Sequence, residues 1–76
     1  MDREDARKML IILGELDFEL SFTKKGATNS ALIAYAHGLN LPIDKLDSLL
    51  EVFIKAGIIH KKLIGERYYY RLGEGQ

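Results

Sequence analysis

The chain has no cysteine, no tryptophan, a single proline and no formal net charge at neutral pH. Each absence closes off a class of function. Without cysteine there is no disulfide framework, no thiolate metal site and no cysteine nucleophile. The two histidines, His37 and His60, stand far apart with no ligand-spaced partner, so neither a metal nor any other cofactor is expected. Apolar runs are only a few residues long and six of the first eight residues are charged. The sequence therefore predicts neither a membrane span nor a signal peptide, and a cytoplasmic location. Zero net charge argues against indiscriminate, histone-like binding of nucleic acid.

What is present is the composition of an ordered domain: 76 residues, 47% hydrophobic and 29% charged. Residues 1–76 read as one small domain. At that size the buried core is thin, and pairing of two copies would add stability. The charge is unevenly spread: residues 1–20 carry a net −3, residues 21–40 a net +2, residues 41–57 a net −1 and residues 58–76 a net +2. A neutral total thus leaves room for a local basic edge.

Periodicity organises the chain. Ala6, Met9, Leu10, Leu13 and Leu16 recur at helical spacing, with Asp2, Glu4 and Asp5 where a helix dipole favours acids; a first helix is expected from residue 2 to about 16. Residues 17–22 alternate, with Phe18, Leu20 and Phe22 on one side, and predict a short strand or extended connector. Gly26 breaks the chain, and Thr28, Asn29 or Ser30 can cap a second helix running from about 29 to 37 and stopping at a left-handed Gly38. Pro42 can open a third helix, on which Leu46, Leu49, Leu50, Phe53 and Ile54 form an apolar stripe ending at Ala56 and Gly57. Residues 58–63 and 67–72 are β-prone and flank Gly65, the pattern of a hairpin.

The order helix, short strand, helix, helix, strand, strand is that of an α+β winged helix-turn-helix domain, the hairpin being the wing. Residues 28 to 72, through Ala56-Gly57-Ile58-Ile59, the Gly65 turn and Tyr69-Tyr70-Arg71-Leu72, resemble the winged-helix repressors of the ArsR and MarR kind. That resemblance implies a protein that binds double-stranded DNA and regulates transcription. Two features differ from those repressors: the sensor cysteines are absent, and the turn from residue 39 to 44 looks about two residues longer than a compact one.

The candidate DNA contacts are Lys61, Lys62 and Arg67 around the wing turn, Lys24 and Lys25 before the second helix, and Lys45 and Ser48 on the third. For the wing the alternative is that its cations guard an exposed strand edge against pairing with another molecule. The third helix also turns Asp44, Asp47 and Glu51 outward, and carboxylates near phosphates cost Coulomb energy. That face is the basis of a second reading, a winged-helix module whose acidic helix docks on a protein partner. Alternation puts Tyr68 and Tyr70 with Ile58 in the core and leaves Tyr69 for contact. No nucleophile, base and concave site come together, so an enzyme is not expected. A homodimer is expected, with few residues after the wing to supply a further helix. Its interface is expected on the first helix, whose face of Met9, Ile12, Leu13 and Leu16 is broad, with Ile12 as an exposed member.

Overall fold

Asp2 starts the first helix: its side chain accepts a hydrogen bond from the Asp5 backbone N–H at 2.8 Å, satisfying one of the free donors of the first turn. The computed structural model describes residues 2–73 and places helix α1 at Arg3–Thr23. It is followed by strand β1 (Ala27–Thr28), α2 (Asn29–Gly38), α3 (Ile43–Lys55), β2 (Ile59–Ile64) and β3 (Arg67–Leu72). The three strands form one antiparallel sheet in the order β1-β3-β2. The fold is α+β, with the order helix, short strand, helix, helix, strand, strand that the sequence predicts.

Helix α1 runs a full two turns further than expected, and residues 17–22 are helical rather than extended. The alternation of Phe18, Leu20 and Phe22 contains an i, i+4 pair, and in the helix Phe18 and Phe22 stack with ring planes 4° apart and centroids at 6.2 Å. No glycine or proline interrupts the segment. The helix stops where Lys24 turns left-handed (φ 68°) and its N–H returns to the Leu20 carbonyl. Thr23 Oγ1 accepts from the N–H groups of Lys25 and Gly26, closing the corner. The short strand falls instead at β1, where Ala27 pairs with Tyr70 and Thr28 with Tyr69. Gly26 makes that pairing possible: its φ is +109°, and a Cβ there would lie 2.6 Å from the Tyr70 carbonyl oxygen.

Thr28 caps α2 by accepting from the Ala31 N–H at 3.2 Å. Gly38 is the last helical residue and not a left-handed cap; Asn40 takes that role, with φ 57°. The turn from α2 to α3 spans only residues 39–42, because Ile43 and Asp44 already belong to α3. It is thus no longer than the usual helix-turn-helix connection.

One core joins the elements. Met9, Ile12 and Leu16 from α1 meet Leu32 and Ala36 from α2, Leu46, Leu49, Leu50 and Phe53 from α3, and Ile59 and Tyr70 from the sheet. Two expectations are corrected here. Ile12 is completely buried, because residues 9, 12 and 16 define the inward face of α1 and leave no second role for it. Ile59, not Ile58, enters the core, since Gly57 (φ 80°) turns the chain one residue further before the strand begins. No helix among the described residues is long and apolar enough to cross a membrane.

Candidate nucleic-acid interface

Strand register decides where the hairpin's cations point. Ile59 pairs with Leu72, Lys61 with Tyr70 and Leu63 with Tyr68; Ile59 and Tyr70 are buried, so this face looks toward the helices. His60 with Arg71, Lys62 with Tyr69 and Ile64 with Arg67 occupy the outer face. The cations grouped by the sequence are therefore divided between two sides of the sheet. Lys61 stands on the inner face, beyond the edge of the core, with Nζ 4.6 Å from the centroid of the Tyr68 ring and 5.8 Å from that of Tyr70. Ammonium over an aromatic face is attracted by the ring quadrupole, which holds Lys61 against the two tyrosines.

The outer face gathers more cations than the hairpin sequence alone suggests. Lys25 reaches in from the α1–β1 corner, its Nζ 5.9 Å from the Tyr69 ring centroid. Arg71 donates from a terminal guanidinium nitrogen to the Lys25 carbonyl at 3.0 Å, fastening that corner to β3. Lys25, Lys62, Arg67 and Arg71 thus surround Tyr69, and the outer-face positions of β2 and β3 hold no carboxylate. Lys24 is exposed at the helix cap beside them.

The three tyrosines sort differently from expectation. Tyr70 is buried at 7% exposure, Tyr68 is 48% exposed and Tyr69 is half-buried. Tyr68 does point to the inner face, but it lies past the end of the packed helices. Tyr69 is covered in part by its neighbours Lys25 and Thr28. A groove of about 510 Å³ opens where this end of the hairpin meets the start of α2; Thr28, Asn29 and Ser30 form one wall, and Glu66, Arg67, Tyr68 and Tyr70 the other. Asn29 and Ser30 are exposed in the first turn of a helix, whose N–H groups favour anionic oxygen.

Helix α3 is less suited to phosphate. Lys45 Nζ lies 3.3 Å from the buried carboxylate of Asp5 on α1, so this half-exposed cation is already engaged in an ion pair within the chain. Ser48 is exposed, and its hydroxyl donates to the Asp44 carbonyl at 3.1 Å. Asp44, Asp47 and Glu51 face water, joined by exposed Ile43 and Val52. Lys61, Lys62, Arg67, Lys24 and Lys25 therefore cluster at the sheet, while Lys45 and Ser48 stand apart on an acidic helix.

Arg71, Asn29 and Ser30 were not singled out as contacts from the sequence. Only the fold brings Lys25 against Arg71. Neither ion pair among the described residues, Arg7–Glu4 and Lys45–Asp5, involves a hairpin cation. No three His, Cys, Asp or Glu side chains among them are grouped as a metal site requires. The chain matches no protein-family model, no curated protein and no solved structure.

Proposed function

We propose that the protein binds double-stranded DNA with its wing, as a small transcription-regulator-like module working in the cytoplasm as a pair of identical copies, and that it is not an enzyme. The observation that carries this reading is the outer sheet face, where Lys25, Lys62, Arg67 and Arg71 surround Tyr69 without an opposing acid. Cations held on a rigid strand pair meet successive phosphates without ordering a loop, and each neutralised phosphate releases a counterion. The groove beside Arg67 adds the first turn of α2, whose N–H groups favour anionic oxygen, while Lys61 stands on the inner face of the same hairpin. Contacts of this type fix position and orientation and read no sequence. A module of this size makes few of them, which is why two copies are needed for useful affinity.

A second reading has its own support. The outward side of α3 carries Asp44, Asp47 and Glu51 beside exposed Ile43 and Val52, a combination better matched to a basic, partly apolar protein surface than to a phosphate backbone. One measurement separates the two: binding of a random-sequence duplex titrated at several salt concentrations. DNA binding through the wing predicts an affinity that falls steeply and linearly on a log–log plot. Absence of binding at the lowest salt sinks it and leaves the protein-docking role of α3.

A further inference from the structure

Helix α1 has a second apolar face that the fold does not cover. Leu10, Ile11, Phe18 and Phe22 are exposed, with Phe18 at 63% and Phe22 at 78%. At about 100° per residue Ile11, Phe18 and Phe22 fall within about 40° of one another, on a side of the helix turned away from the buried Met9 and Leu16. With about 200 Å² to a phenylalanine, those two rings alone leave roughly 280 Å² of aromatic surface in water. That is about a third of the ~800 Å² each partner hides in a stable protein pair.

Gly14 borders this stripe on one side, about 40° from Phe18 and about 60° from Ile11, and the exposed Glu15 borders it on the other. A glycine in mid-helix weakens the helix relative to alanine. Nothing in the chain accounts for it, because a Cβ at Gly14 would meet no atom within 4 Å. Close approach of another helix would account for it. Beside it, α1 and α2 enclose a shallow depression of about 300 Å³ lined by Ile11, Glu15, Ala34, Tyr35, Gly38 and Leu39. Its one hydroxyl stays neutral at any working pH: burial, with Glu19 and Glu15 nearby, pushes Tyr35 up to about 12.

We propose that a second copy of this chain covers the face, its α1 running antiparallel across Gly14 so that Ile11 of each copy lies opposite Phe18 of the other. Knob and depression then occur on the same patch, as a two-fold interface requires. Charge selects the direction. Arg3, Arg7 and Lys8 stand in the first half of α1, where Asp2 is the cap, Asp5 is held by Lys45, and Glu4 is the one further acid. Residues 13–23 carry Glu15, Asp17 and Glu19 and no base. In this antiparallel register Lys8 of one copy comes within about two residues, roughly 3 Å along the axis, of Glu19 of the other and the helix dipoles oppose, whereas parallel helices lay like on like. The inference deepens the reading of a paired module, but it rests on residues that take no part in the DNA surface.

Sedimentation velocity of the chain without DNA tests it. The expected result is a reversible dimer that the pair Phe18→Ser and Phe22→Ser converts to folded monomer with an unchanged far-ultraviolet circular dichroism spectrum. If that variant unfolds, Gly14→Leu decides: its side chain meets nothing in its own copy, so the dimer should dissociate while the helix signal is kept. A spin label on Ser21→Cys reads direction. Antiparallel pairing sets the two labelled positions about 20 Å apart along the axis at 1.5 Å per residue, and parallel pairing sets them at the ~8–10 Å between helix axes. A parent that sediments as monomer up to its solubility limit, a dimer indifferent to both substitutions, or labels at the shorter distance overturns the proposal. A monomer that still binds duplex would overturn the pairing alone; a dimer that binds no duplex would overturn the DNA reading alone.

Discussion

Lys45 of α3 and Asp5 of α1 form an ion pair of 3.3 Å that ties together the first turns of two helices. Asp5 is the buried partner and Lys45 is half exposed, so the pair is asymmetric. Taking away the lysine leaves a carboxylate with little water and no cation, whereas a solvated pair would lose almost nothing.

Lys45→Ala is therefore expected to cost about 1 kcal/mol of stability, between the usual values for exposed and buried pairs. Its effect on duplex affinity should be slight once folding is complete. Urea unfolding and a DNA titration of the same variant check both halves. A large loss of affinity at unchanged stability would return Lys45 to the list of DNA contacts and show that the pair opens on binding.

The wing makes a contrasting forecast. Lys62→Ala and Arg67→Ala remove outer-face cations that have no carboxylate partner among the described residues. Each should weaken binding to every duplex alike and lower the salt slope by up to about 1. Lys62 also sits on β2, the edge of the sheet, where a lysine discourages pairing with another strand. If guarding that edge were its whole role, Lys62→Ala would aggregate on concentration yet bind DNA with the parent's affinity and salt dependence. Light scattering and the titration together tell these outcomes apart.

The residues also indicate why some of this was legible in the sequence and some was not. The α3 stripe of Leu46, Leu49, Leu50 and Phe53 has one period and one buried face, so sequence and structure agree on it. Phe18, Leu20 and Phe22 satisfy a strand period locally, but the choice belongs to α1, whose Leu16 and Leu20 carry the helical register onward; three alternating residues cannot outvote it. Ile12 was misplaced because periodicity identifies an apolar face without saying which of two faces the fold will use. The basic surface was half legible. Residue types flagged Lys25, Lys62 and Arg67, but their meeting around Tyr69 depends on the β1–β3 pairing, a contact between residues more than forty positions apart. The engagement of Lys45 by Asp5 likewise spans the chain and has no local signature.

Acid should loosen α1 from its first turn. The Asp2 carboxyl is held below its ordinary 3.8, chiefly by the hydrogen bond it accepts from the Asp5 N–H. Glu4 is also lowered, by the Arg7 guanidinium that donates to it. A depressed folded-state pKa means that the contribution is complete above the unfolded value and disappears as the pH falls through the folded one. The start of the helix should thus be firm at pH 5 and above (about one unit clear of the ordinary Asp range), and fray as the pH drops below the ordinary Asp value. Amide exchange at Asp5 follows this directly. Asp2→Asn keeps an oxygen acceptor for the cap and should remove the Asp2 part of the pH dependence; an unaltered acid profile would assign the effect elsewhere.

The acids of α3 supply the sharpest test of which face meets DNA. Asp47 and Glu51 are exposed one turn apart, on the same helix as Lys45, and neither belongs to an ion pair among the described residues. Near a duplex both would be repelled by phosphate, by about 1 kcal/mol for each contact at 4 Å in bulk water and more where water is excluded. If DNA lies along the wing with α3 close to it, the double change Asp47→Ala and Glu51→Ala should strengthen binding, most of all at low salt where screening is weakest. If α3 faces away, affinity should remain as it was. A fall in affinity, with the fold intact by circular dichroism, would mean that the carboxylates themselves touch DNA, accepting from the amino groups of cytosine, and that α3 reads bases after all. A basic protein surface as the true partner gives a different signature: the substitutions would leave duplex binding alone and abolish the protein contact, because they take away the charge that such a surface needs.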